Sequence, residues 1–191
     1  MTKFATRNAI FLGILYLLLG LFLQPVFADE EIRYTKYNIH TQSKDAKISK
    51  ASYANYTNPG QGHEIVPAGS EILITDKSRK SFTFTYNNGS KKVIYEFHKK
   101  RMGMSLDEYL DKITSAEPTS HTGLSKEDKK GIAEGKAYKG MSREGVLVAL
   151  GYPATHRTPS LDSTSWTYWT NRFGTIVVVF DTQGLVSEVR D

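Results

Sequence analysis

The sequence predicts an α+β fold, in which a small, mostly antiparallel β domain with one helix precedes two helices packed on a three-stranded antiparallel sheet. Three observations support this prediction. Residues 81–86 alternate apolar and polar side chains and are followed by Asn88-Gly89, a combination typical of a β-hairpin. Residues 142–151 begin with a serine N-cap and end with a glycine, as short helices do. Three strand-like runs then follow.

The first 28 residues are typical of a secretory signal peptide. Lys3 and Arg7 accompany an uncharged, mostly apolar run from Ala9 to Leu23, and Val26-Phe27-Ala28 provides the small residues of a cleavage site. We therefore expect cleavage near Ala28 and a periplasmic or secreted product. The alternative is an uncleaved anchor helix, for which the run is short because a membrane span needs about 20 apolar residues.

Composition argues against several classes of function. Removing residues 1–28 lowers the formal net charge from +5 to +3, because Lys3 and Arg7 are lost and no acid is. So small a positive surplus does not indicate nucleic-acid binding. The chain contains no cysteine, so disulfides, thiolate metal sites, a cysteine nucleophile and a lipoprotein anchor are not expected.

Residues 29–117 are predicted to form the first domain, which is rich in β-structure. Residues 58–62 are dense in proline and glycine and are predicted to be a loop. Ser105 and Glu108 form a capping box ahead of apolar residues at helical spacing, which predicts a helix over 106–114. The candidate strands of this domain are 32–39, 71–75, 81–86 and 93–97.

Residues 118–124 are predicted to be a linker, and residues 125–191 a second domain. Ser125 provides an N-cap for a charged helix that ends at Gly135. The helix of residues 142–151 comes next. The three final strands are predicted at 163–170, 174–181 and 185–190.

Glycines and apolar residues form a recognisable pattern in this second domain. The residues that carry it are Gly135, Ala137, Gly140-Met141-Ser142, Val146, Leu150-Gly151, Pro153, Trp166, Tyr168, Val179-Phe180 and Gly184-Leu185-Val186. Over about residues 124–191 this pattern resembles the SmpA/OmlA (BamE-like) domain, a family that includes a small subunit of the outer-membrane β-barrel assembly machinery. The resemblance implies two helices on a three-stranded antiparallel sheet and a role in partner recognition within the cell envelope.

The chain differs from that family in two respects. Members are usually lipoproteins anchored by an acylated cysteine, whereas this chain has no cysteine, and residues 29–123 have no counterpart in the family pattern. A related arrangement occurs in β-lactamase-inhibitory proteins. The alternative function is therefore inhibition of an exported enzyme, and an envelope hydrolase is a third hypothesis.

Aromatic residues cluster near the first of the final strands. Trp166 and Tyr168 share one strand face and are predicted to be core, whereas Trp169 lies on the other face and Arg172 and Phe173 occupy the following turn. Aromatic and arginine side chains carry much of the binding energy at protein interfaces. We therefore predict that Trp169, Arg172 and Phe173 bind a protein partner in the envelope, for which the resemblance suggests the β-barrel assembly machinery.

The densest cluster of positive charge brackets one predicted strand. Lys91 and Lys92 precede the strand, and Lys99, Lys100 and Arg101 follow it. Lysines at such positions often protect a sheet against edge-to-edge pairing. The alternative hypothesis is contact with anionic lipid head groups or a polyanionic envelope polymer.

No pattern in the sequence indicates a reaction. None of the five histidines is three or four residues from another, so a helical pair of metal ligands is not expected. The sequence contains no Gly-x-Ser-x-Gly elbow and no glycine-rich phosphate loop. We therefore expect a non-catalytic protein without a metal or cofactor.

Overall fold

The computed structural model describes residues 31–191; the predicted signal peptide, residues 1–28, lies outside the described residues. The strands are β1 (Glu31–Thr35), β2 (Ile39–Ser43), β3 (Ile48–Ser52), β4 (His63–Val66), β5 (Glu71–Ser78), β6 (Ser81–Tyr86), β7 (Lys91–Glu96), β8 (Thr114–Ser115), β9 (Ser165–Trp169), β10 (Thr175–Phe180) and β11 (Val186–Arg190). The helices are α1 (Lys99–Met102), α2 (Leu106–Ile113), α3 (Lys126–Glu134) and α4 (Arg143–Leu150). None of these four helices is long and apolar enough to cross a membrane.

The strands form two sheets. Eight strands make one mixed sheet in the order β4-β2-β3-β7-β6-β5-β1-β8, in which β3 and β7 run parallel. The other three make an antiparallel sheet in the order β11-β10-β9. Each sheet buries its own cluster of apolar side chains, the larger one around Phe82, Phe84 and Tyr95, and the smaller one around Trp166 and Tyr168.

The predicted fold class is wrong. The sequence predicted an α+β fold whose C-terminal part is two helices on a three-stranded sheet, whereas the described chain is mostly β and is dominated by the eight-stranded sheet. One reason is that β2, β3 and β4 are polar or short and were merged with neighbours or assigned to loops. The other is that α3 and α4 bond to the large sheet as well, so they connect the two sheets.

The predicted hairpin forms the centre of the large sheet. Its strands pair from Ser81 with Glu96 to Tyr86 with Lys91, so the loop contains residues 87–90, two more than a type I′ turn at Asn88-Gly89 would leave. Asn87, Asn88 and Gly89 all have positive φ, a conformation that asparagine and glycine tolerate best. The alternating pattern identified β6 correctly, because Phe82, Phe84 and Tyr86 are buried in the core whereas Ser81 and Thr85 on the other face are only partly buried.

The single strand predicted over residues 32–39 is two strands with different neighbours. β1 pairs with β5 and β8, whereas β2 pairs with β3 and β4. Between them the backbone N–H of Lys36 donates to the carbonyl of Ile113 at 2.9 Å. Between β1 and β2 the chain leaves the sheet and bonds to helical residues that are distant in the sequence. Local alternation of side chains does not predict such a break.

Asn38 connects the large sheet to the ends of α3 and α4. Its side-chain amide donates to the carbonyls of Ile132 at 2.8 Å and Ala149 at 3.3 Å, and its backbone N–H donates to the carbonyl of Val148 at 2.8 Å. The last carbonyls of a helix have no partner within the helix. Here Asn38 supplies those partners, so the two helices contact the large sheet as well as the small one.

The predicted linker, residues 118–124, contains neither helix nor strand. It is nevertheless attached to the large sheet, because the Thr119 hydroxyl donates to the carbonyl of Thr35 at 2.9 Å. The division into domains at this point remains a prediction.

Helix α2 begins with the predicted capping box. Ser105 accepts from the backbone N–H of Glu108, whose carboxylate accepts from the Ser105 backbone N–H at 2.6 Å. We expect Ser105→Ala to lower the free energy of unfolding by about 1 kcal/mol, because the serine hydroxyl satisfies a first-turn donor. Urea unfolding would measure this, with Ser105→Asp as the control that retains the cap. An alanine variant as stable as the parent would contradict the prediction.

A buried chain of hydrogen bonds crosses the core of the large sheet. The Tyr109 hydroxyl lies 2.6 Å from that of Tyr95, which donates to the side-chain oxygen of Asn55 at 3.3 Å. The amide of Asn55 then donates to the carbonyl of Tyr152 at 2.6 Å. Burial raises the pKa of both tyrosines, so each remains a neutral donor.

Removing the central hydroxyl of this chain leaves two buried groups without their partner. We therefore expect Tyr95→Phe to lower the free energy of unfolding by about 1–2 kcal/mol. Tyr86→Phe is the matched control, because within residues 31–191 the Tyr86 hydroxyl has no hydrogen-bond partner and its ring is also buried. Equal losses in the two variants, measured by urea unfolding, would show that the hydrogen-bond chain contributes nothing.

Candidate functional site

An exposed phenylalanine marks the turn between β9 and β10. Phe173 is 88% exposed, more than either of the other exposed large apolar residues, Ile32 and Val189. The guanidinium of Arg172, also exposed, lies 5.6 Å from the centre of its ring. The structure therefore places two of the three predicted partner-binding residues on one accessible turn.

Hydrogen bonds hold this turn in one shape. The side-chain oxygen of Asn171 accepts from the backbone N–H of Phe173 at 2.9 Å and from that of Gly174 at 3.0 Å. The carbonyl of Gly174 accepts from the N–H of Thr170 at 3.0 Å. Asparagine commonly stabilises turns in this way. The backbone that carries Phe173 is thus held in one conformation by hydrogen bonds, which lowers the conformational entropy lost on binding.

A second loop faces the turn and creates a groove. The backbone N–H of Thr57 donates to the carbonyl of Trp169 at 3.0 Å, and that of Asn58 donates to the carbonyl of Thr170 at 2.9 Å. These bonds anchor residues 56–60 beside the end of β9. The resulting groove, of about 500 Å³, is lined by Gln42, Tyr56, Asn58, Pro59, Gly60, Asn171, Arg172 and Phe173.

The groove continues into a cleft on the outer face of the large sheet. This cleft, of about 320 Å³, is lined in part by Gln42, Tyr56 and Pro59, which also line the groove. It extends across β3 and β7 to Ile94 and Glu96. We call the two together the Phe173 groove. Sequence analysis missed its loop side, because residues 58–62 were assigned only as a connection.

Trp169, the third predicted partner-binding residue, does not line the Phe173 groove. It is partly buried and packs against the core of the large sheet. The guanidinium of Arg157 lies 5.7 Å from the centre of its ring. Strand alternation places Trp169 on the face of β9 opposite to Trp166 and Tyr168. In the structure the large sheet packs against that face, so both faces of β9 are covered.

The predicted lysine cluster is divided between the two ends of β7. Lys91 forms an ion pair with Glu64 at 3.3 Å, and Lys92 is exposed beside it. Lys99, Lys100 and Arg101 lie beyond the other end of the strand, within and around α1. The structure brings Lys99 and Lys100 together with Arg79 and Lys80 around a separate pocket. Sequence analysis missed these two partners because they are distant in the chain.

Two histidines stack where β2 meets α4. The carbonyl of Ala149 lies 2.9 Å from Nε2 of His40 and can only accept, so Nε2 donates and Nδ1 is free to accept. Nδ1 is 3.0 Å from Nε2 of His63, which therefore donates to it. Burial lowers the pKa of His40 to about 4. This pair joins helix to sheet, and its neutral form fits the observed bonds.

Within residues 31–191, no group of three or more histidine, aspartate or glutamate side chains is placed to hold a metal ion. Ser125 and Asp128 form the capping box of α3. The buried carboxylate of Asp128 also accepts from the backbone N–H of Ser142 at 2.7 Å, so its role is structural. The Phe173 groove is the candidate site, because its lining contains two of the three predicted partner-binding residues, Arg172 and Phe173.

Comparison of the chain with protein-family models, with curated proteins and with solved structures found no match. The resemblance over residues 124–191 therefore depends on the sequence pattern alone.

Proposed function

We propose that this protein is a non-catalytic interaction module of the cell envelope, which binds a segment of a partner protein in the Phe173 groove. The observation that carries the proposal is the exposure of Phe173, 88%, on a turn that hydrogen bonds hold in place. A side chain this exposed gains little from burial on folding. Burying such a ring at an interface is worth roughly 2 kcal/mol.

The chemistry of the groove indicates the chemistry of the partner segment. Among the described residues that line the groove near Phe173, Arg172 alone is charged. The other lining groups are amides, a tyrosine, a proline and backbone. Arginine pairs best with a carboxylate, which can accept two of its N–H groups. We therefore expect a segment with an apolar side chain for Phe173 and a nearby aspartate or glutamate for Arg172.

The continuity of the groove favours an extended segment. Its lining runs from the β9–β10 turn past Tyr56 and Pro59 to Ile94 on β7. A helix is wider, about 10 Å across with its side chains, whereas an extended chain follows a narrow path along a sheet surface. The envelope partner that we propose is a component of the β-barrel assembly machinery, with an exported enzyme under inhibition as the alternative.

Photocrosslinking in living cells tests this proposal. A photoreactive residue would replace Phe173 or, as the control, Ile32, which is 57% exposed on β1. Capture of assembly-machinery subunits from position 173 and not from position 32 would support the proposal. Capture of one exported enzyme, together with stoichiometric loss of its activity, would replace the assembly role by inhibition.

Two substitutions sharpen the experiment. Because both side chains are exposed, Phe173→Ala and Arg172→Glu should leave the melting temperature unchanged, whereas each should lower affinity for the captured partner at least tenfold. Ile32→Ala is the matched control and should bind as the parent does. Unchanged affinity in both groove variants would overturn the assignment of the groove.

A further inference from the structure

Cationic side chains from two segments line a cavity at the end of β7. The cavity, of about 420 Å³, is lined by Arg79, Lys80, Glu96, Phe97, His98, Lys99 and Lys100. Arg79 and Lys80 belong to the β5–β6 turn, and Lys99 and Lys100 to α1. The backbone N–H of Phe97 donates to the carbonyl of Lys80 at 2.8 Å, which ties the turn to the end of β7. We call this cavity the basic pocket.

The charges of the basic pocket are not neutralised by the described part of the chain. Four permanent cations and one carboxylate, that of Glu96, line it. Within residues 31–191, none of these four cations has a carboxylate oxygen within 4.0 Å, whereas Lys77 and Lys91 elsewhere have such partners at 2.9 and 3.3 Å. Like charges held close together repel, and a bound anion would relieve that repulsion.

The positive potential extends beyond the pocket. The backbone N–H of His156 donates to the carbonyl of Arg101, the residue after Lys100, at 3.0 Å. Burial and then the charges of Arg101 and Arg157, with that of His98, lower the pKa of His156. Burial is the largest cause of this shift, and the nearby cations add to it.

We propose that the basic pocket binds an anion that carries more than one phosphate or phosphate-like charge. An arginine fork holds two phosphate oxygens at once, and lysines act as point charges around it. The cations come from two segments of the chain that line one cavity, so an anion with several charges can pair with both groups. Phe97, which is buried, and the lysine stems provide an apolar wall for the part of the ligand next to the charge.

The basic pocket adjoins the far end of the Phe173 groove, because Glu96 lines both. Its occupation nevertheless does not depend on the proposed function. The phosphate could belong to a soluble polyphosphorylated compound or to a lipid head group, because both present the same chemistry to the pocket. Two probes distinguish these sources. One is inorganic tripolyphosphate, measured by calorimetry, and the other is a phosphatidylcholine vesicle containing phosphatidic acid, measured by co-sedimentation.

The experiment uses protein purified from cells that express the full chain. The test variant is the triple substitution Lys80→Gln, Lys99→Gln and Lys100→Gln. The control variant is Lys126→Gln, Lys129→Gln and Lys139→Gln, which removes the same charge from exposed positions on and after α3. Circular dichroism and melting temperature would establish that both variants are folded, as expected for exposed side chains.

The test variant should bind tripolyphosphate or the acidic vesicles at least about tenfold more weakly than the parent protein does, because each charged contact contributes about 1.5 kcal/mol or more. The control variant should bind them as tightly as the parent does. Weaker binding of tripolyphosphate by the test variant alone would support anion binding in the basic pocket and a soluble ligand. The same pattern with acidic vesicles alone supports the pocket and a lipid source. Equal weakening of both variants, or no binding to either probe by the parent protein, would overturn the proposal.

Discussion

Gly145→Ala is expected to lower the free energy of unfolding by about 3 kcal/mol, although alanine is the better helix former by about 1 kcal/mol. Gly145 lies in the first turn of α4, where its backbone N–H donates to the Ser142 hydroxyl at 2.9 Å. A methyl group added there would overlap the carboxylate of Asp128. That carboxylate cannot retreat, because it is buried and accepts from Ser125 and from the N–H of Ser142.

A double-mutant cycle identifies the cause of this loss. Asp128→Ala alone should destabilise the protein, because it removes the carboxylate half of the capping box of α3 and leaves the backbone N–H of Ser142 without its partner. Combined with Gly145→Ala it should cost less than the sum of the two single losses, since the carboxylate that collides with the new methyl is gone. Urea unfolding gives all four free energies. Strict additivity, or a stabilised Gly145→Ala protein, would contradict the packing of α3 on α4.

Acid is expected to destabilise the folded protein through His40. In the unfolded chain this residue titrates near its ordinary pKa of 6.5, whereas in the folded protein burial lowers the pKa to about 4. Between these values the unfolded state binds more protons, so stability rises with pH. The contribution is fully present above pH 6.5 and is lost as the pH falls through 6.5 toward 4, up to about 3 kcal/mol when both states are protonated.

His40→Gln is the control for this pH dependence. The glutamine amide can still donate to the carbonyl of Ala149 but does not titrate. We expect the variant to be less stable than the parent at pH 7.5 and to lose much less stability between pH 6.5 and pH 4. Burial also lowers the pKa of His63, so that residue adds a change of the same sign. Identical pH profiles for parent and variant would show that His40 is not the group responsible.

Short sequence patterns correctly predicted those helices and strands that are determined by neighbouring residues. Ser105 and Glu108 predicted the start of α2, and the alternation of residues 81–86 predicted β6, because capping and burial of one face act within a few residues. The joining of the two sheets was not predictable in this way. It depends on Asn38, His40 and Asn55, polar residues whose partners lie about a hundred positions away in the chain.

The candidate site shows the same division. Arg172 and Phe173 were predicted to bind a partner because aromatic and arginine side chains carry much of the energy at protein interfaces, and the structure shows that both are exposed. Trp169 was predicted with them, since alternation places it on the face opposite Trp166, but alternation cannot say what covers that face. Likewise, Lys99 and Lys100 were visible as a run, whereas their meeting with Arg79 across the β5–β6 turn required the strand register.

The bonds from Asn38 to the carbonyls of α3 and α4 also constrain the order of folding during synthesis. A ribosome delivers β1 to β7 long before residues 132–149. Until those residues emerge, Asn38 and His40 have no helix carbonyl to bond, and the surface of the large sheet that contacts α3 and α4 stays open to water. The long sequence separation also makes these contacts slow to form. The nascent N-terminal two thirds should therefore remain incompletely folded, a state in which a chain can still be threaded through a narrow channel.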